Sequence, residues 1–164
     1  MCSRVQSGQE CSTKKPHVHE ATIKDAEYLE PKLRDIDKRE VLAVREKVDG
    51  VLTLAIEKSL LAYSIYYKGH PIGMFGLSSS DIGFGIPWLL CTNKLPKVAL
   101  SFLKQCPKYV NQMHTHYKTL TNYVHCENTV AIKWLEYLGF KMLFKVEYGR
   151  NNEMYYQFMR IQNV

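Results

Sequence analysis

The sequence predicts a single domain of the mixed α/β (α+β) class, in which a helical start feeds a mixed sheet built largely from hairpins. Three observations carry this. Apolar residues recur at helical spacing from Tyr28 to Leu60, then change to strand-like runs from Ala62 to Leu77. A Lys68-Gly69 turn joins two β-prone runs, which is a hairpin signal. The stretch from Leu120 to Arg160 reads strand, helix, strand, strand, and Gly139 is placed to take the left-handed conformation after the last helical turn.

Residues 1–16, rich in Ser, Gln and Lys, read as a flexible tail, and 17–164 as the folded domain. The alternation Val18, Glu20, Thr22 predicts a first strand, with Asp25 at the position of a helix cap. Tyr28, Leu29, Leu33 and Ile36 follow at helical spacing, with Pro31 as a kink or restart. Val41, Leu42 and Val44 mark a second helix, Asp49-Gly50 breaks it, and Leu52, Ile56 and Leu60 form a third stripe. Strands are expected over 62–67 and 71–77, then a polar loop over 78–83. Phe84–Cys91 reads as a buried strand in which Pro87 requires a bulge or an edge. Pro96 opens a helix whose apolar face runs from Val98 through Met113 to Tyr117, with Pro107 as a kink. Strands over 120–126, 140–147 and 153–161 and a helix over 129–138 complete the chain. The order β-ααα-ββ-β-α-β-α-β-β is not that of a doubly wound sheet.

Composition narrows the function classes. With 164 residues and 46% hydrophobic content, the chain can bury one sizeable core. It has no run of 18 apolar residues and no secretory leader, so no membrane span is expected and a cytoplasmic location is. The five cysteines are odd in number and match neither a disulfide framework nor a zinc pattern, so no metal site is expected. Cys91, Cys106 and Cys126 read as buried thiols; Cys2 and Cys11 with His17 and His19 read as tail residues or a stray metal set. Net charge is +6 and unevenly spread. Residues 17–60 hold ten acids and eight bases, whereas 82–126 hold no acid and five lysines: Lys94, Lys97, Lys104, Lys108 and Lys118. Such a strip is either a solvated helix face or a surface for nucleic acid, an acidic partner or a polyphosphate. No aromatic-interleaved basic run gives a specific nucleic-acid motif. The absence of GxGxxG and Walker loops argues against dinucleotide redox chemistry and nucleotide hydrolysis.

Asn128, Ala131, Ile132, Trp134-Leu135 and Leu138-Gly139-Phe140, preceded by the Tyr123-Val124 strand, resemble the signature of the GNAT (Gcn5-related) N-acyltransferase fold. A longer series extends the likeness over most of the chain. It includes Ala21-Thr22, Asp37, Glu40-Val41, Gly73-Met74-Phe75-Gly76, Pro87-Trp88-Leu89-Leu90 with Thr92, and Asn122-Tyr123-Val124. Together these are similar to a phage family that includes a small internal virion or morphogenesis protein of T7-like podophages, other members of which are called acetyltransferases.

The resemblance implies an N-acetyltransferase that moves an acyl group from acetyl-CoA to an amine or protein acceptor. Its alternative is a catalytically silent phage protein of virion assembly, internal core or DNA ejection, with other virion proteins as partners. Either would place it in the host cytoplasm or the virion. By the same resemblance, acyl-CoA lies between the fourth and fifth strands, against Trp88, Leu89, Leu90, Asn128 and Trp134. Its diphosphate would lie over Thr92, Asn93, Lys94 and Lys97. GNAT proteins carry a Gln/Arg-x-x-Gly-x-Gly/Ala loop there, and this segment has no glycine, which makes close backbone approach to phosphate harder. The helix tyrosine that protonates the leaving thiolate in many GNAT enzymes is replaced by Leu135. Candidate bases are Asp81, His125 and Glu127, His125 because imidazole titrates near neutrality. A strand histidine also reads as structural, and Asp37 and Glu40 read as a solvated charged helix or as part of an acceptor site.

Overall fold

A computed structural model describes residues 15–163. The expected tail, except for Lys15 and Pro16, falls outside the described residues, and with it Cys2 and Cys11 of the stray metal set, whereas His17 and His19 lie in the first strand. The chain begins with β1 (His17–Glu20), α1 (Ile23–Leu29), α2 (Asp35–Val44) and α3 (Val51–Lys58). The antiparallel strands β2 (Ser59–Tyr67), β3 (His70–Ser79) and β4 (Gly85–Cys91) follow. Next come α4 (Ala99–Leu103), α5 (Cys106–His114), β5 (Thr119–His125), α6 (Thr129–Tyr137), β6 (Lys141–Tyr148) and β7 (Glu153–Ile161).

The seven strands form one sheet in the order β1-β2-β3-β4-β5-β7-β6. Helices cover both faces, as a two-sided mixed sheet requires. On one face Ala26 and Leu29 of α1 and Leu52 of α3 pack on Met74. On the other, Phe102, Val110 and Trp134 from α4, α5 and α6 pack on Phe75, Leu77, Leu120, Val124 and Phe158.

Several local expectations change. Thr22, not Asp25, caps α1: its hydroxyl accepts from Asp25 N while the Asp25 carboxylate accepts from Thr22 N. Asp25 is buried and also accepts from Ser64 and Tyr66, which ties α1 to β2. Leu60 continues a helical stripe in sequence, yet it is an exposed strand residue, because Ser59 already pairs with Ser78. The helix expected after Pro96 is broken. A short 3-10 turn, Leu95–Val98, precedes α4, and α5 restarts with Pro107 in its first turn, where a missing N–H costs nothing. Tyr117 lies beyond α5, and Cys126 is only half-buried.

Gly76 is required by packing. A Cβ there would come within 2.2 Å of Leu61 O and 2.7 Å of the Trp88 ring. Gly76→Ala should lower Tm by roughly 6–12 °C, for a cost of about 3 kcal/mol, in a thermal melt.

The feature that positions a site is the contact between β4 and β5. These strands are parallel and share a single register pair, Gly85↔Leu120, then diverge. Pro87 helps to explain why. Its carbonyl accepts from Asn122 Nδ2 of β5 at 3.0 Å, so its nitrogen faces β5 too, where proline has no N–H to donate. The proline thus sits on an open edge within the sheet.

Candidate active site in the sheet splay

The divergence of β4 and β5 opens a cavity of about 490 Å³. One wall is β4, from Ile86 to Leu90, and the opposite wall is Asn122, Tyr123 and Val124 of β5. Phe102, Leu103, Cys106 and Tyr109 close it on the α4–α5 side, and Ala131, Trp134 and Leu135 on the α6 side. Glu40, Tyr148 and Tyr155 lie toward α2 and β7. The lining is mostly apolar with a few polar groups, the composition of a ligand cleft.

Edge chemistry along β4 follows from strand alternation. Residues 87, 89 and 91 direct their backbone groups toward β5. The carbonyl of Cys91 accepts from Arg34 N at 2.9 Å, and its N–H donates to Asp37 Oδ2 at 3.1 Å. This leaves Leu89 as the residue that presents a backbone N–H and C=O to the cleft. Arg34 and Asp37 form a buried fork, with Nε and Nη2 each 2.9 Å from a carboxylate oxygen.

Glu40 is the polar centre of the cleft. Its Oε1 accepts from His125 N at 3.0 Å and from Asn128 Nδ2 at 2.9 Å. Burial pushes its carboxyl up to about 7, and Asp37 adds to the push, against the pull of those two hydrogen bonds. The solvated-helix reading of Asp37 and Glu40 is therefore wrong: α2 presses this face against the end of β5. Close by, the Tyr155 hydroxyl is buried and has no hydrogen-bond partner among the described residues. Burial and then the Glu40 charge raise its pKa, so the phenol stays protonated. Tyr148 stacks on Tyr123 with ring centroids 4.2 Å apart and meets Tyr155 edge-on at 5.2 Å.

Of the nine residues expected to hold acyl-CoA, Trp88, Leu89, Leu90, Asn128 and Trp134 line the cleft, and Thr92, Asn93, Lys94 and Lys97 do not. Neither tryptophan fills the wedge. Trp88 donates through Nε1 to Ser59 Oγ at 2.9 Å, and Trp134 packs into the core beneath α6. Asn128 also caps α6, accepting from Ala131 N. Among the expected bases, Asp81 stands in the exposed turn between β3 and β4, away from the cleft. Buried His125 accepts at Nδ1 from Glu127 N (3.0 Å), and its Nε2 lies 3.5 Å from Glu153. Glu127 is exposed and pairs with Arg39 at 2.7 Å, and Arg39 also binds Glu153 at 2.5 Å. His125 reaches the cleft only through its backbone N–H to Glu40. Sequence reasoning missed Tyr155, and it missed the role of Glu40, although Asp37, Glu40, Val41 and Val44 share one helical face at i, i+3, i+4, i+7. Cys106 lines the cleft, but burial raises its thiol to about 12, which removes it as a nucleophile.

The segment expected to bind a diphosphate does not fit one. Thr92 N donates to Ile72 O, Lys94 N to Thr92 Oγ1, Leu95 N to Thr92 O and Lys97 N to Lys94 O. Pro96 has no N–H. Only Asn93 keeps a backbone donor without a partner among the described residues. A diphosphate cradle needs several convergent free N–H groups. The acyl-pantetheine portion of CoA suits the cleft, whereas residues 92–97 offer the diphosphate a single backbone donor.

Comparisons with known proteins bear on the fold. The model of a phage family described as Bacteriophage T7, probable scaffold protein Gp13, matches residues 85–149. No curated protein matches the chain. Solved structures similar to it include Ard1 from Thermoplasma volcanium, at 13% identity and TM-score 0.68, covering 91% of this chain and 99% of that one. A GCN5-related N-acetyltransferase from Kribbella flavida aligns at 14% identity and TM-score 0.67, covering 92% and 100%. Spermidine N-acetyltransferase from Vibrio cholerae, in complex with CoA and spermine, aligns at 12% identity and TM-score 0.60, covering 90% and 96%. The fold is that of the GNAT acetyltransferases, as the sequence resemblance implied.

Proposed function

We propose, from the GNAT fold of the chain, that it is an N-acyltransferase moving an acyl group from a pantetheine thioester to an amine. One observation carries the reading: the splay holds an open apolar cleft whose wall includes a near-neutral carboxyl, Glu40, and a protonated, buried phenol, Tyr155, without a partner among the described residues. A silent core would have no use for an orphaned hydroxyl there, since an unpaired buried polar group costs about 1–3 kcal/mol. In the reaction the amine nitrogen bonds to the acyl carbon, the carbon–sulfur bond breaks and the sulfur leaves as a thiolate, which is protonated by the proton that Glu40 has taken up or by solvent. Glu40 takes the proton lost by the amine, and a pKa near 7 suits that task. Tyr155 is the donor available to the acyl oxygen. Leu89 offers strand-like backbone pairing to the amides of the pantetheine arm. The stacked Tyr123 and Tyr148 rings at the cleft wall favour a cationic amine.

Calorimetric titration with S-acetyl-pantetheine tests the cleft. Saturable binding is expected, and Ala131→Trp, which fills the cavity beside α6, should weaken it tenfold or more without lowering Tm. Equal binding by both proteins would overturn the assignment. Tyr155→Phe separates function from structure: stability should hold or rise by about 1 kcal/mol, while turnover falls about 10²-fold.

A second reading, a catalytically silent GNAT-fold protein of phage virion assembly, is favoured by the internally bonded N–H groups of residues 92–97 and by the scaffold-family match. Mass spectrometry of purified particles tests it; a protein absent from them and dispensable for assembly would end that reading.

A further inference from the structure

We infer that the acyl donor is not free acyl-CoA but an acyl-pantetheine arm carried on an acidic protein, which docks on the exposed lysine-bearing surface of residues 94–108, around α4. This rests on the acyltransferase reading and names its donor. Two independent observations support it. The first is the diphosphate segment: among the described residues, 92–97 keep one backbone N–H without a partner, that of Asn93, next to the exposed Lys94. One donor and one ammonium suit the single phosphodiester that links a phosphopantetheine arm to a carrier, not the diphosphate of CoA.

The second is the surface beside the cleft. Lys94, Lys97, Lys104 and Lys108 are exposed, and none has an acidic partner among the described residues. No acid occurs anywhere from 82 to 126. Leu100, 67% exposed, sits between Lys97 and Lys104, which puts a large apolar side chain inside a positive field. An exposed apolar side chain flanked along the chain by like charges fits a partner of opposite charge with its own apolar contact. The same helix supplies Phe102 and Leu103 to the cleft wall, so a carrier on this surface docks next to the cleft. The balance is that of the parent reaction: the carbon–nitrogen bond forms, the carbon–sulfur bond breaks, and the carrier leaves with a free pantetheine thiol.

Acyl transfer to a polyamine is measured with three donors: S-acetyl-pantetheine, acetyl-CoA and an acetylated acidic acyl carrier protein. The expected kcat/KM for acetyl-CoA lies within about threefold of that for S-acetyl-pantetheine, and the carrier exceeds both by tenfold or more. The pair Lys97→Glu with Lys104→Glu should bring the carrier down to the S-acetyl-pantetheine rate and leave the latter rate unchanged. A tenfold advantage of acetyl-CoA over S-acetyl-pantetheine would show that the diphosphate is recognised and would overturn the inference while sparing the acyltransferase reading. A charge-reversed pair that turns over the carrier normally but loses retention on DNA would assign the strip to nucleic acid instead. Failure of all three donors would remove the acyltransferase reading and this inference with it.

Discussion

Replacing Glu40 by Gln should slow acyl transfer by about 10²–10⁴-fold while making the protein more stable above neutral pH. The two effects share one cause. Glu40 Oε1 accepts from His125 N and Asn128 Nδ2, and the glutamine oxygen can accept the same bonds, so the cleft keeps its shape. What is lost is the ability to take a proton. The folded carboxyl titrates near 7, above the 4.5 of a free glutamate. Below pH 4.5 the group is protonated in both states and imposes no penalty. As pH rises from 4.5 to 7 the unfolded chain ionises first, so wild-type stability falls across this window by on the order of 3 kcal/mol and stays lower above it. Glu40→Gln should abolish that slope, and urea unfolding at pH 5 and pH 8 would show it. The wild-type kcat/KM should rise with pH through a midpoint near 7, where Glu40 gains its charge.

The largest loss of stability is expected from Asp37→Ala, at about 3–5 kcal/mol. Asp37 is 1% exposed, accepts both arms of the Arg34 fork and takes the Cys91 N–H as a third bond. Its removal leaves a buried guanidinium without a counter-charge and an unpaired N–H at the end of β4. Domains of this kind are stable by about 5–15 kcal/mol, so the loss would be a large share of the total. A urea midpoint shifted strongly downward with an unchanged slope is the expected signature. Asp37→Asn, which keeps an oxygen for Cys91 N, should cost less. Equal midpoints for wild type and Asp37→Ala would mean that the Arg34–Asp37 fork does not hold α2 to β4.

The sheet strands and α6 were legible because each carries its own period. Thr129 to Gly139 announces a helix and its end, and the Lys68-Gly69 turn announces the β2–β3 hairpin. Pro87 was legible as a problem, and the structure supplies its solution, an open edge inside the sheet. Leu60 misled because a residue four after Ile56 continues a helical stripe, while the pairing of Ser59 with Ser78 had already begun β2. The candidate site was less legible because it joins residues far apart in the chain. Glu40 becomes a near-neutral carboxyl only when α2 packs on the end of β5 and buries it, against the pull of hydrogen bonds from His125 and Asn128, 85 and 88 residues away. Tyr155 reads as an ordinary strand tyrosine until its hydroxyl is found buried beside Glu40. By contrast, the missing glycines of residues 92–97 were visible at once, and the structure adds that four of those N–H groups are already bonded.

The most direct test of the cleft as an acyl-transfer site is product formation from S-acetyl-pantetheine and a polyamine at pH 8, followed by mass spectrometry, for wild type and Glu40→Gln. The expected result is acetylated amine from the wild type and at least 10²-fold less from the variant, with the variant folded and more stable. Equal yields from the two proteins, or no acetylated amine above the uncatalysed background from either, would contradict the assignment of Glu40 and the splay to catalysis.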